Sequence, residues 1–115
     1  MTTHKIYGKI ANTPEKITKG LMFRKYKLKE NQGLLFDMGT NKIHSFWMKN
    51  TYIPLDVIFL NSKLRVVGFV KNTTPHSLES ISINKKSFYV LEVNGGFIEK
   101  NKIKVNDYVD YSTLI

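Results

Sequence analysis

Residues 46–60 have the sequence Phe46-Trp47-Met48-Lys49-Asn50-Thr51-Tyr52-Ile53-Pro54-Leu55-Asp56-Val57-Ile58-Phe59-Leu60, the most informative stretch of the chain for predicting its fold. Two runs rich in aromatic and aliphatic residues, 46–50 and 55–60, flank a segment that ends in proline, which cannot donate to a strand ladder. Such runs on either side of a short loop are typical of β-hairpins. The stretch therefore predicts a hairpin with its loop at 51–54, in which Lys49 lies opposite Asp56.

The predicted hairpin has two unlike faces, because side chains alternate along a strand. The core face consists of Phe46, Met48, Leu55, Val57 and Phe59. The other face consists of Ser45, Trp47, Lys49, Asp56, Ile58 and Leu60. This second face is either a half-covered ion pair that holds the hairpin in register or a pocket floor, where Lys49 and Asp56 present charge to a ligand beside Trp47.

The rest of the chain predicts a mostly-β domain with a short N-terminal helix. Thr13-Pro14-Glu15 is a helix start, since threonine caps, proline suits the first helical position and an acid meets the positive helix end. This helix is expected to end by residue 25 or 26. Further strands are expected at residues 5–11, 33–38, 64–70, 87–93 and 108–112. Residues 61–63 are expected to close a second hairpin, and residues 97–101 to add a helical turn.

Length and composition exclude several classes of function. With 115 residues the chain has room for a single domain, 1–115, with its core at about 5–112. It has no cysteine, and its three histidines are scattered, so we expect no disulfide, no metal site and no thiol nucleophile. We also expect no cofactor, since no glycine-rich phosphate loop is present. No apolar run approaches the roughly 18 residues that a membrane span needs, and no signal peptide is visible, which favours a cytoplasmic or virion-associated protein without membrane insertion.

The charge of the chain is strongly basic, with 18 basic and 9 acidic residues and a net charge of +9. This charge predicts non-specific association with nucleic acid. All the basic residues except Arg24 and Arg65 are lysine, however, and readout of phosphate and bases favours arginine. Compositional drift is therefore the favoured explanation of the charge.

Two further residues are candidates for a site. Glu92 is an acid within an apolar strand and lies on the face opposite Leu91, where it is exposed or pairs with Arg24 or Lys49. If Glu92 approached Asp56, the two carboxylates would form the acid–base pair of a hydrolase. Arg24 follows three apolar residues and could point back toward the sheet, although an arginine at a helix end more often serves the helix dipole or solvent.

Four blocks of sequence carry a resemblance to a known family. They are Lys19-Gly20-Leu21-Met22-Phe23-Arg24, Gly33-Leu34-Leu35-Phe36, Phe46-Trp47-Met48-Lys49-Asn50-Thr51 with Ile53-Pro54-Leu55-Asp56, and Tyr89-Val90-Leu91-Glu92-Val93-Asn94. In this order they resemble the family called domain of unknown function 192. The resemblance covers residues 6–109.

This resemblance implies a β-sandwich-like or partly closed barrel domain with one short helix, and it implies no activity. Together with the hairpin faces it suggests these site residues: Arg24, Trp47, Lys49, Asn50, Asp56 and Glu92. Where the family usually has a glycine before an aspartate near the C-terminus, this chain has Asn106. Asparagine tolerates left-handed backbone geometry, so we expect that turn to persist.

Three functions follow as hypotheses. The first is a non-catalytic binding module, whose pocket beside Trp47 takes a polar or anionic ligand. The second is an interaction or assembly protein, for example a structural component of a virus particle, with a larger protein assembly as partner. The third is a hydrolase-like enzyme that uses Asp56 and Glu92.

Overall fold

The computed structural model describes residues 1–114, so residue 115 of the expected domain lies outside the described residues. Within this range the chain forms six strands and two short helices. The elements are β1 (Thr3–Ala11), α1 (Pro14–Lys19), β2 (Gln32–Lys42), β3 (Leu55–Leu60), β4 (Val66–Val70), β5 (Ser87–Asn94), α2 (Phe97–Asn101) and β6 (Tyr108–Thr113). The mostly-β prediction is confirmed, and α1 follows the first strand. No helix in residues 1–114 is long and apolar enough to span a membrane.

The six strands form one sheet in the order β4-β3-β5-β2-β1-β6. Strand β1 runs parallel to its neighbours β2 and β6, and the other pairs are antiparallel. The sheet curls so that its two edges approach each other. Hydrogen bonds join residues in or beside the edge strands β4 and β6: the Val66 N–H donates to the Asp107 carbonyl at 2.8 Å, and the Val109 N–H donates to the Leu64 carbonyl at 2.9 Å. The result is a half-barrel, the nearer of the two architectures that the resemblance implies.

Helix α1 starts as its sequence predicts and ends earlier. The Thr13 side chain accepts a hydrogen bond from the Lys16 N–H at 3.2 Å, and Pro14 occupies the first turn. The helix stops at Lys19 because Gly20 adopts a positive φ of 48°, a left-handed conformation that glycine reaches without steric penalty. The expected end at residue 25 or 26 is therefore wrong.

The predicted hairpin between residues 46–50 and β3 is also wrong. Strand β3 pairs with β4 on one side and with β5 on the other, so both of its hydrogen-bonding edges are occupied. Residues 46–50 form no strand, and Phe46 makes only an isolated bridge to Ile81. The 61–63 turn does join β3 to β4 as expected.

The core lies on both faces of the sheet. One face packs against α2 through Phe97 and Ile98. The other packs against α1 and against the irregular residues 43–54. On this second face Phe46 and Met48 do pack with β3, as the apolar pattern predicts, although they reach it from a loop rather than from a paired strand.

Candidate functional site

Asp56 is a structural residue in this fold. Its side chain is fully buried and accepts hydrogen bonds from the Asn72 N–H at 2.8 Å and from the Ile98 N–H at 2.9 Å. These bonds tie the start of α2 and the second residue after β4 to strand β3. Since Lys49 lies outside any strand and makes no salt bridge within residues 1–114, the predicted Lys49–Asp56 pair is wrong.

Trp47 and Lys49 lie instead on the surface of the 43–54 segment. The Trp47 side chain is 46% exposed. The Lys49 ammonium lies 5.1 Å from the centre of the Trp47 ring, within the range of a cation–π contact. One aromatic face at this surface therefore already attracts a cation.

Arg24 and Asn50 organise the loop after α1. The Arg24 guanidinium donates to the carbonyls of Tyr26 at 3.0 Å and of Lys27 at 3.5 Å. Asn50 adopts a positive φ of 56°, and its carbonyl accepts a hydrogen bond from the Phe23 N–H at 2.7 Å. These two residues thus shape the loop and hold it against the 43–54 segment.

Glu92 is the buried acid without a partner. It lies on β5, directly opposite Leu34 of β2 and Val57 of β3, and is 5% exposed. Its carboxyl makes no hydrogen bond and no salt bridge with any described residue, so the expected exposure and the expected pairing with Arg24 or Lys49 are both wrong. Burial raises the pKa of Glu92 to about 8.

A cleft of about 280 Å³ opens above Glu92. We name it the Trp47–Glu92 cleft; its lining includes Gly20, Phe36, Phe46, Trp47, Thr51 and Glu92. A Cβ added at Gly20 would lie 3.2 Å from the Phe36 ring and 3.6 Å from the Glu92 Oε1 atom. The loop after α1 therefore passes close to the carboxyl, and glycine at this position keeps both the left-handed turn and the close approach.

Of the six residues suggested by sequence, the cleft brings together Trp47 and Glu92. Sequence analysis missed the contribution of Gly20 and Thr51, which lie in different segments and meet only in the folded chain. Gly20, directly after the last residue of α1, was the one signal that could have indicated a close approach there.

The structure separates Asp56 and Glu92, the two carboxylates on which the hydrolase hypothesis depends. Asp56 lies opposite Val93, and Glu92 lies opposite Val57, so the two acids point to opposite faces of the sheet. They cannot act on one substrate from there. Within residues 1–114, no group of three His, Asp or Glu side chains is arranged to hold a metal ion.

A second, wider groove of about 680 Å³ lies on the other side of the loop after α1. We name it the basic groove, after its four cationic side chains, Lys9, Lys16, Lys19 and Arg24. Its remaining lining is apolar or backbone, and no acidic residue of the described chain contributes to it.

These features define a class of protein: a small half-barrel domain with a cleft between the sheet and the loops that cover one of its faces. The chain matches the profile of the family described as DUF192, Uncharacterized ACR, over residues 1–111, and it belongs to this family. No curated protein matches the sequence.

Two crystal structures are similar to this chain. A candidate transcription regulator from Sinorhizobium meliloti 1021 is 33% identical with a TM-score of 0.83, and the match covers 86% of this chain and 76% of that one. A protein of unknown function from Novosphingobium aromaticivorans DSM 12444 is 34% identical with a TM-score of 0.81, covering 86% of this chain and 70% of the other. The family membership and the fold are thus supported by sequence and by structure.

Proposed function

We propose that this protein is a non-catalytic binding module that holds a small polar ligand in the Trp47–Glu92 cleft. One observation carries the proposal: Glu92 has only 5% of its surface exposed, its carboxyl lines the cleft, and it accepts no hydrogen bond from the described chain. Burying a carboxyl group without a partner is unfavourable unless the group is later satisfied. A ligand bound in the cleft would satisfy it, and Trp47 would supply an aromatic wall.

Binding rather than catalysis is favoured by what surrounds the carboxyl. General acid–base chemistry on two sides of a bond needs a second group placed to exchange a proton or to attack. The other titratable side chain in the lining, among the residues described, is Lys19, which lies at the exposed end of α1. One buried acid beside an aromatic ring is suited to orient a ligand.

The test uses the single tryptophan as a probe inside the cleft. Intrinsic fluorescence and amide resonances are followed while benzyl alcohol, benzylammonium, benzoate, glycerol or glucose is added at millimolar concentration. We expect at least one probe to shift the resonances of Gly20, Thr51 and Glu92. Trp47→Ala and Glu92→Gln should each weaken that probe about fivefold or more, whereas Glu99→Gln, an exposed acid on α2, should not change it.

The proposal is wrong if no probe shifts these resonances, or if Trp47→Ala and Glu92→Gln bind as the unmodified protein does. Urea unfolding of each variant checks that the change in binding is not a loss of the folded state.

A second candidate function is association with nucleic acid through the basic groove. Two observations favour it: among the residues described, the groove is lined by four cations and no acid, and a similar structure is described as a candidate transcription regulator. Binding of this kind weakens with salt, because each phosphate contact releases counterions.

Fluorescence anisotropy with a labelled DNA duplex at several salt concentrations tests this candidate. The plot of log affinity against log salt has a negative slope, and the double variant Lys9→Ala, Lys16→Ala should make it shallower by about 2. Lys85→Ala, Lys86→Ala is the matched control outside the groove. If the control lowers the slope equally, the association is diffuse and the groove has no special role.

A further inference from the structure

Glu92 needs hydrogen-bond donors that the protein does not supply. An ionised carboxylate only accepts hydrogen bonds, and two oxygens offer several sites for donors. The lining includes the hydroxyls of Thr18, Ser45 and Thr51, but that of Thr51 donates to the Lys49 carbonyl at 3.2 Å. No donor in the described part of the chain reaches the Glu92 oxygens, so they stay open to donors from solvent or from a ligand in the cleft.

The cleft is also short of positive charge at its floor. A buried carboxylate is tolerated when a cation and hydrogen bonds accompany it. Of the described residues, Lys19 is the one cation in the lining, and it forms no salt bridge with Glu92. A ligand that carries a cation would supply charge and donors in the same group.

The aromatic lining suits a cation as well. Phe36 and Phe46 meet edge to face with their ring centres 5.3 Å apart, and Trp47 completes the wall. Aromatic faces attract ammonium groups, and the Lys49 ammonium above Trp47 is an example within this protein. An aromatic wall beside a buried acid is an arrangement that recognises organic cations.

We infer that the ligand of the Trp47–Glu92 cleft is a small organic ammonium, which donates its N–H groups to the Glu92 carboxylate while its apolar part lies against Phe36, Phe46 and Trp47. This inference rests on the proposed function and names its ligand class. The cleft volume of about 280 Å³ is near the lower end of small-molecule pockets, so the ligand is about the size of benzylammonium.

Binding of such a cation is coupled to a proton. Because burial raises the pKa of Glu92 to about 8, the free carboxyl is mostly protonated at pH 7. A bound ammonium favours the ionised form, so the carboxyl proton leaves to the buffer as the ligand binds. The charged groups that face Glu92 or its wall are Lys19, from the end of α1, and Lys49, above Trp47. Lys19 opposes the cation, and the net charge of +9 acts weakly at 0.15 M salt, where the screening length is about 8 Å.

Calorimetry on the full chain at pH 7 tests the inference with three matched probes: benzylammonium, benzyl alcohol and benzoate. We expect benzylammonium to bind about tenfold or more tightly than benzyl alcohol. Titrations in phosphate and in Tris, which differ in ionisation heat, should show release of close to one proton for benzylammonium and none for benzyl alcohol.

Three variants locate the effect. Glu92→Gln keeps the size of the side chain and should remove both the tenfold preference and the proton release. Glu99→Gln should keep both. Lys19→Ala should tighten benzylammonium and weaken any binding of benzoate, because it removes a positive charge from the lining.

The outcomes separate the two proposals. Equal affinity for benzylammonium and benzyl alcohol, or tightest binding of benzoate, overturns the ammonium inference and leaves a polar-ligand module in place. A preference for benzylammonium that persists in Glu92→Gln also overturns it. If none of the three probes binds and no other probe shifts the cleft resonances, the proposed function fails with it.

Discussion

Glu92 and Asp107 are carboxyl groups with little exposed surface in two different regions of the half-barrel. Each is 5% exposed. Burial alone would raise the pKa of both, and it raises that of Glu92 to about 8. For Asp107 burial is outweighed by hydrogen bonds from His4, Lys104 and Thr2 and by attraction to His4, which together lower the pKa to about 2.

Two things make the difference: Asp107 receives hydrogen bonds that Glu92 lacks, and Glu92 lies deeper among protein atoms than Asp107. Asp107 accepts from the His4 Nε2 atom at 2.9 Å, the Lys104 N–H at 3.0 Å and the Thr2 N–H at 3.2 Å. It ties the first strand to the loop before the last one, so its charge stabilises the fold. Glu92 has no such donors in the described chain, and its charge opposes folding. A buried acid that the fold leaves unsatisfied is a candidate for function.

The largest expected effect comes from removing the satisfied acid. Asp107→Ala leaves three donors without their acceptor, and we expect a loss of about 4 kcal/mol in the free energy of unfolding at pH 7. Urea denaturation measures it. Asp110→Ala, an exposed acid on β6, is the control and should change little. A loss below about 1 kcal/mol for Asp107→Ala would mean that these bonds do not hold the edge of the sheet.

Removing the unsatisfied acid should have the opposite sign. The pKa of Glu92 is about 8 in the folded chain against an ordinary value of 4.5, so the folded state keeps the proton up to a higher pH than the unfolded state does. Stability present below pH 4.5 is therefore lost as the pH rises through 8. Glu92→Gln has no proton to lose, and at pH 7 we expect it to be about 3 kcal/mol more stable than the unmodified protein.

Urea denaturation of Glu92→Gln from pH 4 to 9 measures this divergence, with Glu99→Gln as the control. Parallel curves for Glu92→Gln and the unmodified protein would show that the carboxyl is satisfied in solution.

At low pH, the change of stability with pH is expected to come from Asp107. Because its pKa is lowered from 3.8 to about 2, its contribution is present above pH 3.8 and is lost as the pH falls through 2. Solvent screening reduces this contribution, and we expect a loss of about 1 kcal/mol from this group across that range. Asp107→Asn should show a flatter acid limb in the same measurement, and an unchanged slope would contradict the assignment.

The smallest effect is expected between Lys49 and Asp56, the pair that the sequence predicts and the structure separates. Lys49→Ala removes an exposed cation–π contact and should change stability by less than about 1 kcal/mol. In a double-mutant cycle with Asp56→Asn the coupling energy should be close to zero. A coupling energy above about 1 kcal/mol would show that the two side chains do interact in solution, as the predicted hairpin requires.

Much of the fold could be predicted because its signals are local. Thr13 and Pro14 start α1, the 61–63 turn joins β3 to β4, and Asn106 adopts the positive φ of 79° expected where the family has glycine. Each of these depends on a few neighbouring residues and their backbone preferences. Prediction failed at residues 46–50, whose apolar alternation is also compatible with a loop that packs on a core.

A mostly-β domain, the strand positions other than 46–50, the apolar face of β3 and the unusual residues Trp47 and Glu92 could all be predicted from the sequence alone. Only the tertiary structure decided which strands pair with β3, because β5 occupies the edge that the nearby segment could have used, and pairing between distant strands is not encoded in local pattern. The tertiary structure also determines which of the buried acids receives hydrogen bonds. Asp56, Asp107 and Glu92 have the same chemistry, but donors arrive from distant residues at the first two, whereas at Glu92 the chain brings a glycine, aromatic rings and an open cleft.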